Sequence, residues 1–147
     1  MFKVILVSTD GTTESNHAVK AAATLAADLG ATLRIFHSSR TYQTLYYPDG
    51  VGMTWPPQEQ YEKQAAAAAD KVLKSASALA KKLSVKATIA HSYSDSPAEA
   101  IIAAAKKSKA DLIVMASHGR KGLDKLLLGS ETQRVLARTK LPVLVVR

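Results

Sequence analysis

Five short apolar runs restrict the fold more than anything else in the chain: "KVILVST" (Lys3–Thr9), "ATLRIFHSS" (Ala31–Ser39), "VKATIAHS" (Val85–Ser92), "ADLIVMAS" (Ala110–Ser117) and the terminal "LPVLVVR". Each is too short for a buried helix and is rich in β-branched and aliphatic residues. Most are apolar without alternation, which predicts strands covered on both faces. Segments of helical period separate them. Ala18, Ala22, Leu25 and Leu29 recur at helical spacing, and Gly30 supplies a stop. A second helical pattern runs from about Pro57 to Lys82 and contains Ala65–Ala69, a run of the best helix former. In "SDSPAEAIIAAAKKS" Ser96 is placed as an N-cap, Pro97 as the first helical residue and Glu99 as the capping-box partner. Gly129-Ser130 opens a last short helix ending near Arg138. Strand and helix alternate throughout, so the expected fold is a single-domain α/β sandwich around a parallel sheet.

The chain has 147 residues, which suits one domain, and no cysteine, which excludes disulfides and thiolate metal sites. The start, "MFKVILVST", lacks the apolar length and cleavage site of a signal peptide, and no window approaches the ~20 apolar residues of a membrane span. The expectation is a soluble cytoplasmic protein with no membrane partner. Net charge is +8. Lys81-Lys82, Lys106-Lys107 with Lys109, and Arg138 with Lys140 fall where helices should end, and cations there complement the helix macrodipole. Charge alone therefore does not argue for nucleic acid as a partner.

Arg40 to Pro56, "RTYQTLYYPDGVGMTWP", shows no period and holds Tyr42, Tyr46, Tyr47 and the only tryptophan, Trp55. A connection this long is either a lid over a ligand or a loop folded onto the protein's own surface.

Three of the seven glycines crowd into "ASHGRKGLDKLLLGSET", Ala116 to Thr132. In an open parallel sheet, ligands bind beyond the carboxyl ends of the strands where strand order reverses. If the first three strands wind one way and the last two the other, the tip Ser8-Thr9-Asp10-Gly11 lies beside the tip Met115-Ala116-Ser117-His118-Gly119. Gly129-Ser130 then brings a helix N-terminus to that crevice, an arrangement suited to phosphate. Ser130 and Thr132 would add hydroxyl donors, and Arg120 or Lys121 a charge. Asp10 would accept from ribose hydroxyls or hold a divalent ion through water; its structural alternative is a cap on the first helix. Neither a P-loop nor the dinucleotide fingerprint is present.

Catalysis finds less support. Ser117 and His118, as neighbours at a strand end, are expected to point apart and so make a poor nucleophile and base. His17, His37, His91 and His118 lack metal-ligand spacing. His118, flanking the crevice, is the best catalytic candidate of the four.

"ILVSTDGTTESNHAVKAA", "SPAEAII", "ADLIVMASHGRKGLDKLLLGSETQRVL" and "LPVLVVR", in that order, resemble the universal stress protein family over essentially the whole chain apart from the Arg40–Pro56 loop. The resemblance implies a Rossmann-like three-layer sandwich with a five-stranded parallel sheet of order 3-2-1-4-5, and a homodimer. Nucleotide-binding members carry glycine, two residues, glycine, nine residues, then Gly-Ser or Gly-Thr. Gly119 and Gly129-Ser130 match this, whereas Ala116 stands at the first glycine and adds a methyl. The resemblance implies binding of ATP or a related adenine nucleotide, with Mg or Mn held through the phosphates. It places Ser8, Thr9 and Asp10 toward ribose and adenine and the Ser38 backbone on adenine. It places Met115, Ala116, Gly119, Gly129, Ser130, Glu131 and Thr132 around phosphates and ribose; Arg120 is added from charge and position. At most, slow ATP hydrolysis or autophosphorylation is expected. The competing reading is a dimeric interaction scaffold that needs no nucleotide. In either case the apolar terminal strand, Pro142–Arg147, is the expected dimer contact.

Overall fold

The structure, a computed structural model, describes residues 1–42, 45–46, 52–53, 56–119 and 127–147. Side chains of β1 (Val4–Ser8) divide between two faces: Ile5 and Val7 enter one apolar cluster and Leu6 the other. The same period of two sorts β6 (Leu112–Ala116), with Leu112, Val114 and Ala116 on the first face and Ile113 and Met115 on the second. Two buried faces require two helix layers. Helices α1 (Thr13–Leu29) and α2 (Gln58–Lys82) cover the first face, and α3 (Pro97–Lys107) and α4 (Ser130–Arg138) the second.

With β2 (Thr32–Ser39), β5 (Ala87–Tyr93) and β7 (Val143–Val146), the strands form an all-parallel sheet ordered β5-β2-β1-β6-β7. Counting sheet strands alone, this is the expected order 3-2-1-4-5. The winding reverses between β1 and β6. In the long connection, β3 (Leu45–Tyr46) pairs antiparallel with β4 (Gly52–Met53), a hairpin that its sequence did not announce. Tyr47 and Trp55, two of the aromatics in the suggested lid, lie outside the described residues.

Helix ends follow local chemistry. Thr12 caps α1 by accepting from the Ser15 amide at 3.2 Å, and Gly30 ends it in the left-handed region at φ 64°. The expected capping box on α3 closes in one direction only. Ser96 Oγ accepts from the Glu99 amide at 3.4 Å, but Glu99 turns to Arg138 at 2.5 Å, and the Ser96 amide donates to Ser94 Oγ instead. Basic residues occupy the last turns of α2, α3 and α4, as the macrodipole favours.

The edges depart from the expectation of full cover. Ile35 on β2 is fully buried, yet Ile89, its ladder partner on β5, is 44% exposed. The β5 run is apolar but borders solvent because, among the described residues, no strand lies beyond it.

Candidate functional site

The carboxyl ends of β1, β2 and β6 open into a cleft of about 480 Å3, a size that suits a small-molecule ligand. Ser8, Thr9 and Asp10 line it from β1, Ser38 from β2, and Met115, Ala116 and Gly119 from β6 and its exit. Gly129, Ser130, Glu131 and Thr132 complete it from the start of α4. Arg120 lies outside the described residues.

The start of α4 is pressed against the end of β6. Gly129 N donates to the Ser117 carbonyl at 2.8 Å. A Cβ at Gly129 would stand 3.1 Å from that same oxygen and 3.4 Å from His118 Cα, so the close approach requires glycine. The first intrahelical bond runs from Gln133 N to the Gly129 carbonyl at 3.0 Å, and no side chain caps Gly129. The amides ahead of Gln133 are thus the orphan donors of a helix start, carrying the positive end of its dipole at the cleft wall.

Two residues expected to meet a ligand have structural duties. Buried Thr132 donates its hydroxyl to the Ala116 carbonyl at 3.0 Å, with Ser117 O at 3.3 Å, so its one proton holds α4 to β6. Glu131 Oε2 accepts from Ala98 N at 2.9 Å, and Oε1 pairs with Arg134 at 2.7 Å. Its carboxylate therefore occupies the N-terminus of α3 in the way a bound anion would. Thr12 caps α1, and Glu131 with Ser96 fills the start of α3, whereas the starts of α2 and α4 have no side-chain cap, and of these two α4 begins with cleft-lining residues.

Asp10 faces α4 from across the cleft. Its Oδ1 accepts from Thr12 N at 3.0 Å and Thr12 Oγ1 at 2.6 Å, bracing the α1 cap that it was weighed as providing itself. Its Oδ2 lies 3.1 Å from the position a Cβ on Gly119 would take. Segments more than a hundred residues apart therefore meet here. The Ala116 methyl belongs to the cluster beneath α1, while Met115, Phe36 and Ile101 sit together in the opposite cluster and give the cleft its apolar wall. Ala116 thus belongs to the first cluster and also lines the cleft. Among the described residues, Ser38 Oγ and His118 Nε2 are buried with no hydrogen-bond partner.

Sequence reading missed His37, Arg40, Asp95, Pro97, Ile101 and Arg134, which also line the cleft. Arg134 was detectable as the (i, i+3) partner of Glu131. The α3 contributions were not, because a capping motif does not reveal which cleft its helix overhangs. His37 Nδ1 lies 2.8 Å from the Thr9 carbonyl, and its ring stacks on His91 at 5.9 Å. Burial first, and the neighbouring His37 second, hold the His91 pKa below its usual value. The expectation that Ser117 and His118 point apart fails: Oγ and Nδ1 are 3.0 Å from each other. The strand ends at Ala116, so strand alternation no longer governs the pair. Ser117 is buried and absent from the cleft lining, which leaves it badly placed as a nucleophile.

Comparison with known proteins supplies the remaining context. The profile of the universal stress protein family matches residues 1–147. A Thermus aquaticus universal stress protein from a region 3′ of a sulfhydrylase gene is 40% identical, covering 100% of both chains. A universal stress protein solved in complex with cAMP superposes with a TM-score of 0.71 at 26% identity, covering 99% of this chain and 97% of its own. The Archaeoglobus fulgidus protein in complex with dAMP shares the fold at a TM-score of 0.71 and 18% identity, with 99% and 98% covered.

Proposed function

Because the chain belongs to the universal stress protein family, we propose that its cleft binds an adenine nucleotide, ATP in the first instance, and that the protein acts as a nucleotide-responsive module in a stress response. One observation carries this reading: the uncapped start of α4 faces Asp10 and Gly119 across a cleft of ligand size. Solved family members in complex with cAMP and dAMP support the adenine nucleotide class. Phosphate oxygens would take the Ser130 to Thr132 amides, and the apolar wall of Phe36, Ile101 and Met115 would flank the base. Asp10 Oδ2 is the acceptor for ribose hydroxyls. Among the described residues no three His, Cys, Asp or Glu side chains converge on a metal position, so a divalent ion would arrive with the phosphates. Among the described residues the cleft lining shows no general base aligned with a nucleophile, and turnover, where present, should be slow.

Titration calorimetry with ATP and with AMP, each with and without magnesium, tests the reading. Saturable heat and a raised melting temperature are expected. Absence of both at millimolar nucleotide leaves the scaffold reading in its place.

The module is further proposed to be a homodimer through β7. Its Leu144 is 41% exposed on an edge strand, and a two-fold strand pair would cover it. Light scattering at micromolar concentration should give twice the 15.7 kDa chain mass, and Leu144→Arg should return it to one.

A further inference from the structure

Among the described residues, unpaired positive charge collects at the end of the sheet opposite the cleft. Lys3, Lys86, Lys109 and Lys140 each stand just ahead of a strand: β1, β5, β6 and β7 respectively. In sheet order they form a row along the lower rim, spanning four strand spacings, roughly 20 Å. Lys81-Lys82 flank the row at the end of α2, and Lys106-Lys107 flank it on the other side at the end of α3. All eight are exposed. None of them takes part in a salt bridge among the described residues.

Helix dipoles account for the four lysines in last turns and for Lys109 and Lys140, which directly follow the C-caps Ser108 and Thr139, whereas Lys3 and Lys86 lie outside any helix's last turn or cap. Opposing charge at this end is small. Asp28 lies in the last turn of α1, and the Asp111 carboxylate already accepts from Lys3 N at 2.8 Å and Val4 N at 3.0 Å. Burial pushes the Asp111 pKa up, but these amides and the nearby amino terminus outweigh it and hold it below its usual value.

We propose that this end is a docking surface for an anionic lipid bilayer. The charges occupy one end of all three layers of the sandwich, a two-dimensional spread that matches a plane of headgroups better than a single phosphate backbone. They are all lysines, with no arginine fork among them to read base edges, and the neighbouring ring of Phe2 packs against the core and is half-buried. Leu83, 40% exposed among them, adds an apolar contact at headgroup depth. Docking this way leaves the cleft facing away from the membrane. The proposal does not depend on what the cleft binds.

Cosedimentation of the full chain with phosphatidylcholine vesicles containing about a third phosphatidylserine tests it. Binding is expected at low salt, with loss in high salt and none to pure phosphatidylcholine. Lys86→Gln, Lys109→Gln and Lys140→Gln together should weaken partitioning about a hundredfold, at ~1 kcal/mol per lysine. The same three positions changed to arginine should retain binding. Lys63→Gln, Lys71→Gln and Lys74→Gln, an equal charge loss on α2, should change it less than about threefold. Circular dichroism of each variant confirms folding. No vesicle binding by the parent chain, equal loss in the α2 triple, or a parent chain that binds duplex DNA but not vesicles at the same salt would each overturn the assignment.

Discussion

Valine in place of Gly119 is expected to weaken adenine nucleotide binding about a hundredfold while leaving the fold intact, on the scale of a wall overpacked by two methyls. The reason lies in what surrounds that α-carbon. Gly119 does not occupy the left-handed region, unlike Gly11 and Gly30, so an L side chain meets no backbone objection. A Cβ there would contact a single described group, Asp10 Oδ2, at 3.1 Å. The added bulk therefore enters the cleft and displaces the carboxylate proposed to hold ribose. Alanine at the same position asks Asp10 to yield by a few tenths of an ångström and should cost about tenfold. Calorimetry with ATP measures the affinities, and urea unfolding measures stability, which should move by less than about 1 kcal/mol. A large stability loss with unchanged affinity would make Gly119 a folding residue and remove this wall from the proposed site. The contrast with Gly129 is instructive, because its Cβ would strike backbone atoms, Ser117 O and His118 Cα, which cannot rotate away.

Much of this arrangement could be read before any coordinates. Uninterrupted runs such as "LIVMA" state that both faces of a strand are covered, and strand-helix alternation then leaves few topologies. Gly119 and Gly129 of the glycine spacing both line the cleft, and a Cβ at either would stand 3.1 Å from a neighbouring oxygen. What could not be read was how polar side chains divide their hydrogen bonds. Thr132 and Glu131 stand where ligand contacts were expected, yet one secures β6 and the other fills the end of α3. A hydroxyl or carboxylate near a site has several partners within reach, and only three-dimensional packing selects among them. Ser117 and His118 show the same limit. Alternation predicts opposite directions while the strand lasts, and the sequence does not mark the residue at which it stops. Exposure at β5 is a third case, since an apolar run reads alike in a central strand and at an edge.

That ambiguity at β5 supplies the second large effect. Ile35→Ala is expected to destabilise the protein by about 3 kcal/mol, within the ~2–5 kcal/mol range for emptying a buried aliphatic site. Ile35 is fully buried in the cluster beneath α1 and α2, beside Leu33, Leu73 and Val7, none of which is more than 3% exposed. The rigid strands to either side, β1 and β5, limit collapse into the void. Ile89→Ala provides the internal control: the same residue type and the same truncation, paired with Ile35 in the ladder. At 44% exposure it loses less transfer energy and leaves no enclosed cavity, so its cost should stay below about 1 kcal/mol. Urea denaturation of both variants, with slopes compared to ensure a common unfolded state, reads the difference directly. Equal costs would mean that β5 is covered in solution. In that case a second copy of the chain would have to be sought at this edge as well as at β7, since the described residues leave Ile89 44% exposed.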